Sequence, residues 1–249
     1  MLGTALLHVP RHPHVPLPLV LAFHGAGGNG PDFAKESGLS ATADKYGFAV
    51  LYPTASSSSH FWSLNAAMKP DDVAAVAALL PRAEAKACAD TTRIYATGVS
   101  NGGGFTARIG CALAGTIAAI APVAGGYKAL DPCPSRRHVS VLEIHGTKDQ
   151  IVPYAGRKGD GAGSVSSFLA GWVARDGCAA ATRQTHPRKG VTRYLHRSCP
   201  AGLAVEHLRL DGTDHGWPGA APPWPAHNPS KLEAGEEVWQ FFSKLRLED

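Results

Sequence analysis

The run Gly98-Val99-Ser100-Asn101-Gly102 places a serine where it could act as a covalent nucleophile. In the pattern G-x-S-x-G the serine lies on a sharp turn between a strand and a helix, where larger side chains two positions away would collide with neighbouring backbone. The run 93–97 predicts the strand, and Phe105 and Ile109 recur at helical spacing after the turn. This setting favours a nucleophile over a glycine-rich turn without chemistry, which is the alternative for the pattern alone.

A serine hydroxyl becomes a good nucleophile only when a base takes its proton and a carboxylate orients that base. Two later loops supply both groups in the chain order serine, acid, histidine. Asp149 follows the apolar run 139–145, and His215 follows the predicted strand 204–210. Functional groups of open α/β sheets gather at such strand ends. We therefore predict acyl transfer by Ser100, with His215 as base and Asp149 as its orienting acid.

Other acids and imidazoles in these loops have competing interpretations. Asp214 adjoins His215, but sequence neighbours rarely orient each other's side chains, so we expect it to cap the loop. Asp211 is a second candidate acid in the same loop. His145 ends a predicted strand and is interpreted as a structural histidine whose polar atoms are satisfied.

Acyl transfer also needs two N–H donors for the negative charge that develops on the carbonyl oxygen. The residue after the nucleophile, Asn101, is one expected donor. The glycine-rich run 24–28 follows a strand and is similar to the H-G-G-G element of esterases, with Ala26 as the second expected donor. A phosphate-binding turn is disfavoured, because the G-x-G-x-x-G spacing and a Walker-type lysine are missing.

The elements that must position these residues alternate between strands and helices. Uninterrupted apolar runs, typical of strands covered on both faces, occur at 17–23, 48–52, 117–123 and 139–145. Predicted helices include one from about 72 that Pro81 bends or ends, one over 165–173, and a last one opened by a Ser230–Glu233 capping box. The alternation predicts a doubly wound, mostly parallel α/β sheet. We expect residues 1–249 to form a single domain.

Composition excludes several classes of protein. The chain has 249 residues, 44% of them hydrophobic and 18% charged, which is typical of a folded globular protein. Its net charge of +4 is spread out, so no nucleic-acid partner is expected. No apolar run is long enough for a membrane span. Without a C-x-x-C pair among its five cysteines, no metal site is expected.

The chain resembles the polyhydroxybutyrate depolymerase and feruloyl esterase family of secreted α/β hydrolases. The similarity lies in HGAGGN at 24–29, RIYATGVSNGG at 93–103, APVAG at 121–125, HGTKDQIVPY at 145–154 and HGWPG at 215–219. It implies an α/β-hydrolase fold without a large cap domain, no metal or organic cofactor, and triad roles for Ser100, Asp149 and His215. Relatives often carry cysteine or glycine where this chain has Ala26; a backbone donor tolerates that difference.

The resemblance also bears on the cysteines and the compartment. It implies a Cys178–Cys199 disulfide, whereas Cys111 could pair with either Cys88 or Cys133. Five cysteines suit an exported protein with two disulfides and one free thiol. No signal-peptide pattern is visible, so we expect secretion with the export signal already removed.

The expected activity is that of a secreted serine ester hydrolase acting on hydroxybutyrate-type polyesters or on feruloyl or acetyl esters of polysaccharides. Trp217 and Tyr154 follow His215 and Asp149 by two and five residues, and Trp62 follows the serine-rich run 56–59. We expect these three aromatic residues to line an exposed apolar substrate cleft. A monomer is expected. The alternatives are a serine peptidase of the same fold and a non-catalytic binding protein on a hydrolase scaffold.

Overall fold

A nine-stranded sheet organises the residues described by the computed structural model, which are 4–11, 13–127, 133, 137–157, 163–200, 202–221 and 226–247. The strands are β1 (Ala5–His8), β2 (Leu17–Phe23), β3 (Ala49–Pro53), β4 (Ala89–Val99), β5 (Ala119–Val123), β6 (Ser140–Gly146), β7 (Thr182–Arg188), β8 (Val191–His196) and β9 (Val205–Leu210). Their order across the sheet is β1-β3-β2-β4-β5-β6-β9-β8-β7. The strands from β3 to β9 in that order are parallel, whereas β1 runs antiparallel to β3, β8 to β9 and β7 to β8.

Six helices in these ranges cover the two faces of the sheet. They are α1 (Gly30–Glu36), α2 (Leu39–Tyr46), α3 (Asp72–Ala87), α4 (Asn101–Ala112), α5 (Val165–Arg175) and α6 (Ala234–Phe242). Helices α3, α4 and α5 pack into one apolar core, and α1, α2 and α6 pack into the other. Along β2, Leu19 and Leu21 enter the first core, and Val20 and Ala22 enter the second. Two buried faces therefore explain why this strand has no polar alternation.

This architecture confirms the predicted mostly parallel α/β sheet, and the short strand β1 forms one edge of it. Helix α3 continues past Pro81, so of the two expectations for this proline, a bend or an end, the end is wrong. The helix stops at Ala87 and is capped by Cys88 in a left-handed conformation. The predicted capping box of the last helix was also wrong. Helix α6 has Glu233 at its N-cap without a side-chain bond, because the Ser230 hydroxyl instead donates to Asn228 Oδ1 at 2.7 Å.

Two disulfides link cysteines that are 22 and 21 residues apart in the chain. Cys178 is bonded to Cys199, the pair that the resemblance implies, and Cys111 is bonded to Cys133, one of the two open alternatives. Cys88 is an exposed free thiol. Across the residues described, every helix is too short or too polar to cross a bilayer.

Candidate active site

Ser100 lies between β4 and α4 in a backbone conformation that non-glycine residues rarely adopt. Its φ and ψ angles are 58° and −121°. The surrounding backbone fixes this conformation, because the Ser100 N–H donates to Val123 O at 3.0 Å and its carbonyl accepts from Gly104 N and Gly126 N at 3.0 and 3.1 Å. Such strain persists only where neighbouring structure imposes it, and a strained serine at this position is the hallmark of a nucleophile turn.

The two flanking glycines make this turn sterically possible. A Cβ atom on Gly98 would lie 2.7 Å from the carbonyl oxygens of Gly102 and Phe23. On Gly102 it would lie 2.3 Å from the carbonyl oxygens of Phe23 and His24. Both distances are well below van der Waals contact with backbone that cannot move aside, so only glycine fits.

Asp149 and His215 are brought together because their loops follow neighbouring parallel strands, β6 and β9. The His215 Nδ1 atom lies 2.7 Å from Asp149 Oδ2. The other carboxylate oxygen, Oδ1, accepts from the backbone N–H groups of Ile151 at 3.0 Å and Val152 at 2.7 Å. Since an ionised carboxylate only accepts hydrogen bonds, Nδ1 of His215 carries the hydrogen. Its Nε2 lone pair is then available to take a proton.

The charge state of Asp149 suits this role. Its side chain is buried, and burial by itself would raise the pKa of the carboxyl. The histidines beside it, His145 and His215, outweigh burial and hold the pKa of Asp149 well below its ordinary range. Asp149 is therefore ionised at neutral pH, as an orienting acid must be.

Ser100 and His215 both line one open cavity of about 630 Å³ above the carboxyl ends of the strands. The cavity is bordered by three further segments and two single residues. They are the glycine-rich run 24–29, then Asp32, Phe33 and Glu36 on α1, then 216–217 and Ala220 after His215, together with Val99 and Ile151. No hydrogen bond joins Ser100 to His215 within the described ranges. A looser arrangement is common in a hydrolase without substrate.

The two expected oxyanion donors border this serine. Within the described ranges, neither the Ala26 N–H nor the Asn101 N–H donates to a protein acceptor. The loop that carries Ala26 passes close to the nucleophile, because a Cβ built on Gly25 would be 3.6 Å from the Cβ of Ser100. Asn101 opens α4, whose N-terminus favours negative charge. The site can therefore offer two unpaired N–H groups to a developing oxyanion.

Trp62 is a core residue, so the expectation that it lines an exposed cleft was wrong. Its indole is fully buried, stacked on Phe105 at 4.7 Å between ring centroids and edge-on to Phe23 at 5.1 Å. The ring donates from Nε1 to His24 O at 2.9 Å. Its backbone N–H donates to Asn101 Oδ1 at 2.7 Å, and Asn101 Nδ2 donates back to Trp62 O at 3.3 Å. Trp62 thus links the two segments that carry the expected oxyanion donors.

The other two aromatic residues also differ from the expected cleft. Tyr154 borders a separate groove beside α5, and its hydroxyl bonds His207 Nε2 at 2.7 Å. Trp217 borders the Ser100 cavity but is only 3% exposed, with its Nε1 donating to Ser37 O at 3.0 Å. Of the large apolar side chains that border this cavity in the described ranges, Ile151 is the exposed one, at 65%. The sequence indicated this position only through its closeness to Asp149, two residues earlier.

The other candidates for the acid and the base, Asp211 and His145, have partners outside the proposed triad contact. Asp211 forms an ion pair with Arg209 at 3.0 Å. His145 is fully buried with both ring nitrogens partnered, as expected of a structural histidine, and it also packs behind Asp149. Glu143, the partner of His145, was not identified from the sequence. Among the described residues, no group of three or more His, Cys, Asp or Glu side chains is arranged to hold a metal ion.

Curated relatives resemble this chain over much of its length. A bifunctional acetylxylan esterase/xylanase of Neocallimastix patriciarum is 26% identical over 237 residues, covering 93% of this chain and 31% of that protein. Feruloyl esterase B of Piromyces equi is 31% identical over 160 residues, covering 58% of this chain and 29% of that protein. The chain thus spans about a third of the length of these relatives.

Solved structures share the fold at low sequence identity. An acetyl xylan esterase from Aspergillus awamori superimposes with a TM-score of 0.70 at 15% identity, covering 96% of this chain and 93% of that one. A Bacillus cereus carboxylesterase gives a TM-score of 0.62 at 14% identity, covering 98% and 94%. The model of the family described as esterase PHB depolymerase matches residues 2–129, slightly more than half of the sequence. The chain belongs to the esterase PHB depolymerase family.

Proposed function

We propose that this protein is a serine carboxylic-ester hydrolase in which Ser100, His215 and Asp149 form the catalytic triad. The observation that carries this proposal is the 2.7 Å contact between His215 and Asp149 beside a cavity that Ser100 also lines. The strained backbone of Ser100 adds support, because such strain is kept where it presents a nucleophile. Membership of an esterase family agrees with this chemistry.

In this mechanism His215 Nε2 takes the Ser100 hydroxyl proton while Oγ attacks the ester carbonyl carbon. The C–O π bond opens, and the resulting oxyanion accepts hydrogen bonds from the N–H groups of Ala26 and Asn101. Collapse of this intermediate breaks the ester C–O bond, and the alcohol leaves with the proton from His215. Water then repeats the same steps on the acyl-enzyme and releases the acid. Asp149 keeps the imidazole in the required tautomer throughout.

The proposed substrates are feruloyl or acetyl esters of polysaccharides and oligomers of hydroxybutyrate. The first two classes are those named for the relatives, and the third is named for the family. The cavity is open, as an ester on a polymer would require. We further propose a secreted monomer in which residues 1–249 form one catalytic domain. The two disulfides support an oxidising compartment.

The decisive experiment is labelling with a fluorophosphonate, followed by mass spectrometry to locate the adduct. We expect a single adduct on Ser100 and none in the Ser100→Ala protein. Hydrolysis of feruloyl, acetyl and hydroxybutyrate esters by the unaltered protein then identifies the acyl group. A folded protein that neither reacts with the phosphonate nor hydrolyses any ester in this panel would refute the proposed function.

A further inference from the structure

Behind Asp149 lies a buried polar cluster that the triad mechanism does not use. It comprises Glu143 and His145 on β6, His207 on β9, and Tyr127 and Tyr154 from adjoining loops. Glu143 and His145 have fully buried side chains at the centre of the sheet. Ionisable groups are rarely placed so deeply unless they are paired, and a set of them touching a catalytic acid indicates a function.

Asp149 stands between two imidazoles. Its Oδ2 atom is 2.7 Å from Nδ1 of His215 on the cavity side and 3.2 Å from Nε2 of His145 on the buried side. The far nitrogen of His145, Nδ1, is 2.9 Å from Glu143 Oε1. A continuous row of carboxylates and imidazoles therefore runs from the core of the sheet to the proposed base.

The partners of His145 determine its protonation. Nε2 is 2.9 Å from the carbonyl oxygen of Val152, which can only accept, so Nε2 carries a hydrogen. Nδ1 faces Glu143 Oε1, which also accepts from the Tyr127 hydroxyl at 2.8 Å, so Nδ1 carries a hydrogen as well. With hydrogens on both nitrogens, His145 is an imidazolium between two carboxylates. Burial by itself would lower the pKa of His145, but Asp149 and Glu143 raise it to about 10.

We propose that His145 is a positioning residue for the esterase reaction, a buried cation that fixes Asp149 and weakens the hold of this carboxylate on the proton of His215. The inference depends on the proposed function, since it concerns the same triad. Glu143 anchors the cation from the other side, and His207, whose Nδ1 lies 2.6 Å from Glu143 Oε2, supports Glu143 in turn. The buried positive charge thereby offsets part of the negative charge that Asp149 presents to the imidazole of His215.

The test depends on which charged and titratable side chains lie near His145 and His215. His145 is surrounded by Glu143 on its own strand, Asp149 in the following loop, and the rings of Tyr127 and Tyr154, with His207 reaching it only through Glu143. Besides Asp149, the cavity around His215 contains Asp32 and Glu36 from α1, and His24. Substitution of His145 leaves all of these in place, so a change in the pH dependence of the reaction at Ser100 reports the lost cation.

Two matched substitutions separate the charge from the hydrogen bond. The amide of His145→Gln reaches the position of Nε2 and keeps a donor towards Val152 and Asp149, whereas that of His145→Asn reaches only the position of Nδ1. The pH dependence of phosphonate inactivation reports the base without requiring knowledge of the natural substrate. We expect its acid limb to move up by about one pH unit in both variants, because a positive charge near His215 is lost. We also expect kcat to fall further in His145→Asn, with little change in KM.

The control is His196→Gln on β8. Within the described ranges the side chain of His196 bonds the carbonyl oxygen of Ala179 at 3.2 Å, so this variant should leave the acid limb unchanged. A reactive His145→Gln protein with an unshifted limb would overturn the proposal for His145. Failure of the unaltered protein to react would instead count against the proposed function.

If the variants fold poorly, NMR of the unaltered protein decides. We expect both imidazole nitrogens of His145 to stay protonated from about pH 6 to about pH 9. Its signals can be assigned through contacts with the Tyr154 ring, whose centroid is 5.9 Å away. A bare ring nitrogen at neutral pH would refute the imidazolium and the inference built on it.

Discussion

At the scale of single residues, buried side chains support the site as much as those that face the cavity. Trp62 ties the segment of His24 to Asn101 through one indole bond and two backbone bonds. His24 is itself held, donating from Nδ1 to Gly25 O at 2.6 Å and accepting from Ala55 N at 3.1 Å. Burial, only partly offset by the Gly25 contact, lowers the pKa of His24 to about 4. The glycine-rich loop is thus fixed by neutral groups at neutral pH.

The Trp62→Phe substitution tests this support. Phenylalanine keeps an aromatic ring against Phe105 but leaves His24 O without its donor, so the loop that carries Ala26 is less well fixed. We expect kcat on a p-nitrophenyl ester to fall about tenfold with little change in KM, because a weakened oxyanion contact acts in the transition state.

Trp172→Phe is the matched control, since this indole is equally buried in the same core and its Nε1 has no hydrogen-bond partner among the residues that the structure describes. It should leave kcat unchanged. Equal losses of kcat in the two variants would show that Trp62 acts only through general core packing.

At the scale of elements, the β4–α4 turn is the most constrained part of the site. The backbones of β2, β4 and α4 approach so closely that Gly98 and Gly102 leave no space for a methyl group. Because this close packing requires glycine at both positions, the glycines appear in the sequence as a short motif. That motif was enough to predict the turn.

Substituting either glycine by alanine should therefore disrupt the fold around Ser100. We expect Gly98→Ala and Gly102→Ala each to lower the free energy of unfolding by about 3 kcal/mol, measured by urea denaturation, with loss of phosphonate labelling. Gly115→Ala is the control, because a Cβ there meets nothing within 4 Å. Its stability should match that of the unaltered protein; alanine tolerated equally at all three positions would contradict the steric argument.

The sequence predicted those strands that are buried on both faces. Such strands, for example β2 and β6, consist of unbroken runs of buried residues that are mostly apolar. Strand β7 is exposed along almost its whole length and was not predicted, because its polar residues carry no burial pattern. The sequence left open whether Pro81 ends its helix, because local propensity does not show packing. Helix α3 continues, since it buries Val76, Leu80 and Ala83 on both sides of the proline.

For the site as for the fold, the sequence revealed features with a local pattern and missed those that depend on tertiary packing. The proposed triad could be found because its members follow strands in a fixed order. The role of Trp62 could not, since an aromatic residue near a catalytic loop has the same appearance in sequence whether it contacts substrate or packs into the core. Glu143 was missed because it lies inside an apolar strand, and only the tertiary structure shows that His145 and His207 are there to pair with it.

At the scale of the whole molecule, the parallel order of the sheet assembles the site from distant segments. Strands β2, β4, β6 and β9 all end at one edge, so loops separated by up to about two hundred residues border one cavity. Gly146 shows how closely two of these loops meet, because a Cβ on it would lie 2.2 Å from Thr213 O. The polar cluster behind Asp149 joins the neighbouring strands β6 and β9. Because the contacts of the cluster form only when these strands pair, its protonation is coupled to folding of the whole domain.

This coupling predicts how stability depends on pH. The pKa of His145 is about 10 in the folded protein against 6.5 ordinarily, so between these values the folded state holds a proton that the unfolded state has lost. The stabilisation from His145 is complete below about pH 6.5 and is lost as the pH rises towards 10. We expect unfolding free energies from urea titrations to fall between about pH 7 and 9.5, and to fall less in His145→Gln. Equal slopes in the two proteins would contradict the raised pKa.

The outermost strand of the sheet, β7, has a consequence for behaviour at high concentration. Its register with β8 slips between Thr185 and Arg188, and Pro187 within that slip has no N–H to offer. Exposed Arg183 and Arg188 add positive charge along the open side. A kinked, cationic border with a missing donor is a poor template for further strands. We therefore expect that addition of further strands at this edge is disfavoured, even at high protein concentration.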